Sequence, residues 1–209
     1  MIILSLITSY IVQSGEKMEN IIEKFVRSIA IHNDFTDEQR VEIEYTLKVI
    51  SYELIKIIAI IFIFYLVGYL KESLIILFVM GITKPFIGGY HEDSQIKCFI
   101  ATVILVAIII QLSITSNISY ISAASLNIIS VFVVYNRAPI INDKMPITKS
   151  SLIKRNRIIG IINISVLSIG SLIFFNSTIL SQVVIWTICI QAMFMFNKNE
   201  YKTYKGVKK

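Results

Sequence analysis

The sequence predicts an all-α membrane protein, a polytopic helix bundle of about six membrane segments with N-terminal amphipathic helices and one interrupted segment. Three observations predict it. Of 209 residues, 55% are hydrophobic and 16% charged, against roughly 25% charged in typical globular domains. The mean hydropathy is +0.72. The charges fall in a few blocks, and the runs between them approach the ~17–25 residues with which a helix spans a bilayer.

Residues 1–13 read as a short apolar or surface-lying helix, with neither the basic leader nor the small-residue cleavage site of a signal peptide. From Glu16 to Ile31 the pattern is amphipathic. Ile21, Ile22, Phe25, Val26 and Ile29 recur at helical spacing, which predicts a helix on the interface or packed on the bundle. Asn33 to Asp37 is a break. Thr36 followed by Asp37, Glu38 and Gln39 starts a helix, with acids favourably placed in its first turn. That helix runs past Glu44 and Lys48 into a first span, about Val49 to Leu70.

Glu53 and Lys56 fall near the start of that span. Burying either deeply would cost about 2.5–3.5 kcal/mol. Snorkelling to the interface is the economical reading for Lys56, with Glu53 an alternative neighbour of the reactive stretch described below. Lys71-Glu72-Ser73 reads as a tight turn. The next run, Leu74 to Ile82, is short for a span and continues through Pro85 and Phe86 toward Gly88 and Gly89, a broken or re-entrant segment. Irregular backbone at membrane depth is tolerated where protein buries it or where it lines a wet cavity. Further spans are expected near Cys98–Ile114, Tyr120–Tyr135, Ile158–Phe175 and Ile179–Phe196.

Charge then orients the bundle. The block from Asn136 to Arg157 carries Arg137, Lys144, Lys149, Lys154, Arg155 and Arg157 against Asp143 alone, and the tail carries Lys198, Lys202, Lys205, Lys208 and Lys209 against Glu200. The turns near 116 and 176 are uncharged. Basic loops stay cytoplasmic, so both termini and residues 84–98 are expected on the cytoplasmic side of a cell membrane. One integral-membrane domain covering 1–209 is the simplest division: an amphipathic region 1–48, a bundle 49–197 and a basic tail 198–209. The net charge of +6 and pI near 9.2 follow from this topology. No nucleic-acid-binding motif accompanies the basic clusters, so no nucleic-acid partner is expected.

The chemistry is concentrated between Lys84 and Cys98. There a thiol, an imidazole, two adjacent glycines, a proline and several charges interrupt an apolar chain. His91 and Cys98 are seven residues apart, about 10.5 Å along a continuous helix. A thiol–imidazole hydrogen bond needs closer approach, so His91 would have to sit in a bent segment folded over Cys98 near the start of the next helix. Gly88 and Gly89 supply the backbone freedom for this. A helix N-terminus and an adjacent imidazolium would each favour the thiolate. A structural polar loop explains one Cys and one His equally well. Zinc normally needs three or four protein ligands, and the spacing of Glu92, Asp93 and His32 does not demand their recruitment, so no metal or other cofactor is expected. Two cysteines make no disulfide framework; Cys189 reads as core packing, Trp186 as an ordinary bundle residue and His32 as the end of an interfacial helix.

The run from Lys84 through Gly88-Gly89-Tyr90-His91 to Cys98 resembles the signature of the AgrB family of peptide-processing membrane endopeptidases. Arg137-Ala138-Pro139, Lys144-Met145-Pro146-Ile147 and the basic cluster after them resemble that family's second polar loop. The likeness covers essentially the whole chain. It implies a cytoplasm-facing cysteine endopeptidase that processes an AgrD-like propeptide for quorum sensing, with Cys98 as nucleophile, His91 as general base and Gly89 shaping the loop. Lys84 stands where many members have Arg; it keeps the charge without the planar bidentate fork. The resemblance also implies a homodimer in the lipid bilayer. Neither a third catalytic residue nor the oxyanion-hole donors stand out, with Glu53, Asp93 and Gln111 as candidates. Two rivals remain from other classes: a small peptide exporter, whose paired broken helices are not evident, and a membrane S-acyltransferase.

Overall fold

The computed structural model describes residues 22, 24, 26, 36–88, 95–142, 149–175, 179–196 and 201–203. Among them are six helices: α1 (Asp37–Leu66), α2 (Leu70–Ile87), α3 (Gln95–Thr115), α4 (Tyr120–Arg137), α5 (Ser150–Ile173) and α6 (Ile179–Phe194). The fold is an all-α membrane bundle. Windows of three helices, Gln39–Leu66, Ile96–Thr115 and Ser150–Ile173, are long and apolar enough to cross a bilayer, and Ile179–Phe194 is a shorter apolar helix. A ladder absent from the sequence expectation joins β1 (Ile140–Asn142) antiparallel to β2 (Tyr201–Thr203), within the second polar loop and the tail. The chain divides into two compact units, Met1–Gly68 with Asp93–Ala101, and Tyr69–Glu92 with Thr102–Lys209.

In the first unit, Ile22 and Val26 are helical and buried while Lys24 is exposed, the amphipathic pattern expected there. Thr36 caps α1 through a capping box. Its hydroxyl accepts from the Gln39 N–H at 3.3 Å, and its own N–H donates to Gln39 Oε1 at 3.1 Å. From this cap α1 runs unbroken through the Glu44–Lys48 pair, 2.8 Å apart, to Leu66. Leu54, Ile58, Phe62 and Tyr65 form an exposed stripe, whereas Ile60 and Phe64 are buried. In water such a stripe would be unfavourable, whereas hydrocarbon tolerates it. The turn falls at Val67–Tyr69, earlier than the expected Lys71–Ser73. Gly68 adopts φ +86 there and ends α1, leaving Glu72 in the first turn of α2, where acid is favourable.

In the second unit α2, α4, α5 and α6 pack on one another. Val79, Ile87, Val133, Val134, Ile164 and Ile188 are central to the core. Its helix interfaces are rich in small and polar residues, as membrane bundles are: Ala123, Asn127 and Ser130 on α4, Gly160, Ser168 and Ser171 on α5, Ser181, Thr187 and Gln191 on α6 are all buried. Large apolar side chains such as Phe132, Ile162 and Ile169 point outward. Thr83 donates to Gln191 Oε1 at 2.8 Å, and Asn127 Nδ2 reaches Ser171 Oγ at 3.0 Å and the Ser168 carbonyl at 3.3 Å. Trp186 Nε1 donates to Ser116 Oγ at 2.8 Å. A Cβ on Gly160 would lie 2.8 Å from Ile87 Cγ2 and 3.4 Å from the Phe86 carbonyl carbon, so that glycine sets how closely α2 and α5 approach.

The apolar run from Leu74 extends through Pro85 as one helix, and the interruption falls at Gly88. Pro85 removes the N–H that would bond the Gly81 carbonyl. One residue on, the Ile82 carbonyl accepts from Asn163 Nδ2 of α5 at 2.6 Å. Helix α5 starts at Ser150, eight residues before the expected span, so Lys154, Arg155 and Arg157 form its opening turns. Basic residues gather at one end of this unit. Lys84, Arg137, Lys154, Arg155 and Arg157 lie where α2 and α4 end and α5 begins, whereas no charged residue occurs between Phe99 and Asn136 or between Ile158 and Asn197. At the basic end Arg137 donates to the Met195 carbonyl at 3.4 Å with its guanidinium 4.5 Å from the Phe196 ring centre. Arg157 donates to the Tyr135 carbonyl at 3.0 Å. At the other end Tyr120 and Phe175 meet edge to face, 5.7 Å apart.

Candidate functional site

Cys98 is the fourth residue of α3 and lies half-buried in its first turn. This matches the expected position near the start of the helix after the polar loop. In a first turn the backbone N–H groups lack intrahelical acceptors, and the partial positive charge of the macrodipole favours an anion.

A second positive group reaches the sulfur from α1. Lys56 Nζ donates to Cys98 Sγ at 3.7 Å and pairs with Glu53 Oε2 at 2.5 Å, all within the first unit. The Lys56 side chain is 12% exposed and that of Glu53 43%. This corrects the reading of Lys56 as a snorkelling residue. Lys56, Ile60 and Phe64 stand four residues apart on one face of α1, the face whose Ile60 and Phe64 are buried. Lys56 therefore turns inward, where Glu53 and Cys98 replace the water its ammonium would otherwise need. Glu53, one turn earlier, is the more exposed member of the pair and anchors the lysine. The signal that would have found Lys56 is this four-residue spacing, but the opposite face of α1 is as apolar, so the sequence did not mark which side was inside.

Lys84 and Gly88 belong to the second unit and close α2. Lys84 is in the last turn, where a cation complements the helix C-terminus, and its carbonyl accepts from the Gly88 N–H at 3.0 Å. Gly88 adopts φ +76 and ψ −166, and a Cβ there would overlap the carbonyl group of Ile140 at the start of β1. No other residue fits that backbone and that contact together, which gives the first of the two adjacent glycines a definite structural role. Gly89 and His91 lie outside the described residues, as do His32, Glu92 and Asp93. Gln111 is exposed, about three and a half turns along α3 from Cys98. Cys189 on α6 is a half-buried free thiol.

Comparison with known proteins adds two matches. The family model described as "Accessory gene regulator B" matches residues 18–195. The AgrB-like protein 1 of Clostridium perfringens (strain 13 / Type A) is 42% identical over 181 residues, which cover 87% of this chain and 97% of that protein. No solved structure matches the chain.

Proposed function

The chain belongs to the accessory gene regulator B (AgrB) family, and on that premise we propose that it is a membrane cysteine endopeptidase acting on an AgrD-like propeptide. Family membership supports the coarse role, quorum-sensing peptide processing. The observation that carries the finer reading is the placement of Cys98: a half-buried thiol in the first turn of a helix, inside the matched residues 18–195, which also include His91.

The chemistry follows from these groups. The His91 imidazole takes the proton of the Cys98 thiol, and the thiolate attacks a propeptide carbonyl. As the new S–C bond settles into a thioester, the peptide C–N bond breaks. The departing amine takes the proton back from the imidazolium and leaves with the C-terminal fragment. The thioester keeps enough energy for a second nucleophile of the same peptide to displace Cys98. A peptide Cys gives a thiolactone and a peptide Ser a lactone. Holding both ends of one substrate supplies a high effective molarity, and a site at the membrane edge limits competing hydrolysis. The basic end of the second unit supports a cytoplasmic location for the polar loops and both termini. An even number of membrane segments, six on this reading, puts both termini on one side.

The test uses the full-length protein in liposomes with a propeptide carrying an amphipathic leader, an internal Cys or Ser and an acidic tail. The expected result is release of the C-terminal fragment and a hydroxylamine-sensitive thioester on Cys98, both lost in Cys98→Ala. Normal maturation by Cys98→Ala would overturn the proposal.

A further inference from the structure

We infer that Lys56 is the electrostatic partner of the Cys98 sulfur, its ammonium stabilising the thiolate that attacks the peptide carbonyl while taking no part in the proton transfer. The inference rests on the reading of Cys98 as nucleophile and adds to it a residue that the motif between Lys84 and Cys98 does not contain.

Three observations carry it. The first is distance: Lys56 Nζ lies 3.7 Å from Cys98 Sγ, in donor geometry, across 42 residues of chain. The second is burial: a lysine whose side chain is 12% exposed on an apolar helix needs acceptors for its N–H groups, and the sulfur is one of them. The third is the state of its other partner. Glu53 already pairs with Lys56, so charge neutralisation alone does not require the thiol. A neutral thiol is a weak acceptor, whereas a thiolate is a strong one. An ammonium held at that distance therefore faces the charge left on sulfur once the thiol proton has gone.

In the step itself Lys56 keeps its three protons. The thiol proton goes to His91, and the negative charge it leaves on sulfur is the charge Lys56 faces. As the S–C bond forms, that charge passes to the carbonyl oxygen and then to the leaving amine, which takes the His91 proton. The contribution of Lys56 is thus made to the attacking sulfur and not to substrate binding.

The test is the rate of Cys98 alkylation by iodoacetamide at neutral pH in the intact protein, read site by site by mass spectrometry, with Cys189 as internal reference. Lys56→Met, which keeps the packed stem and removes the charge, is expected to slow Cys98 labelling about tenfold, equivalent to about 1.4 kcal/mol, with Cys189 labelling unchanged. Lys56→Arg is expected to restore most of the rate. With propeptide, Lys56→Met should lower kcat in the same proportion and leave KM unchanged. Lys56→Gln gives the same readings should the methionine variant not fold. Wild-type labelling and kcat in Lys56→Met or Lys56→Gln, with Cys98→Ala inactive, would overturn the role of Lys56 and leave the protease reading standing. Activity in Cys98→Ala would remove the protease reading itself.

Discussion

Replacing Gly88 by alanine tests how the end of α2 is built. Two independent terms oppose the substitution. At φ +76 and ψ −166 the backbone is in a region essentially reserved for glycine, where another residue costs about 1–3 kcal/mol. The new Cβ would also overlap the Ile140 carbonyl. That neighbour is main chain, so no rotamer change relieves it, and either α2 or β1 has to move. Together they place the loss at about 3 kcal/mol or more, which for a chain of this size lowers the unfolding midpoint by roughly 6–12 °C. Gly81, two turns earlier in the same helix, is the control. A Cβ there meets nothing within 4 Å, and alanine is the better helix former, so Gly81→Ala should leave the midpoint unchanged or raise it. Thermal unfolding of both variants in one detergent decides the matter. Equal midpoints for Gly88→Ala and wild type would refute the backbone assignment, and with it the assigned contact between the end of α2 and the second polar loop.

Gly160→Ala should destabilise by about 1–3 kcal/mol, since buried Ile87 and the Phe86 backbone leave its Cβ little room; the same unfolding assay reads it, and Gly170→Ala, with open space at its Cβ, should be neutral. A double-mutant cycle of Thr83→Val and Gln191→Leu should give a coupling of about 0.6–1.7 kcal/mol, the range for hydrogen bonds between membrane helices. A coupling near zero would remove that bond from the account of how α2 is held to α6. Arg137→Lys keeps the charge but loses the planar group over Phe196; a loss of about 0.5–1 kcal/mol is expected, with Arg137→Gln losing more.

The motif from Lys84 to Cys98 was legible because a glycine pair, an imidazole and a thiol stand out in an apolar chain. The start of α1 was legible as well, since Thr36 and Gln39 form their cap from local sequence alone. Lys56 was not. Its contact to Cys98 joins residues 42 positions apart, and in an apolar helix no polar face marks the outside. Thr83, Gln191 and Gly160 escaped for the same reason: a buried threonine, glutamine or glycine in a membrane helix reads like any small or polar interruption until its partner on the next helix is known.

What the sequence determined by itself was composition-driven: an apolar helical chain, charge gathered at one end of its later segments, one reactive stretch and the place where α1 begins. These follow from local propensities and from the energy of placing charge in hydrocarbon, which act residue by residue. Only the tertiary structure decided where α2 stops, that Gly88 lies against Ile140, and that a lysine on α1 points at the thiol. Those outcomes depend on which faces meet, and a helix apolar on every side leaves that choice to shape and hydrogen bonding between helices.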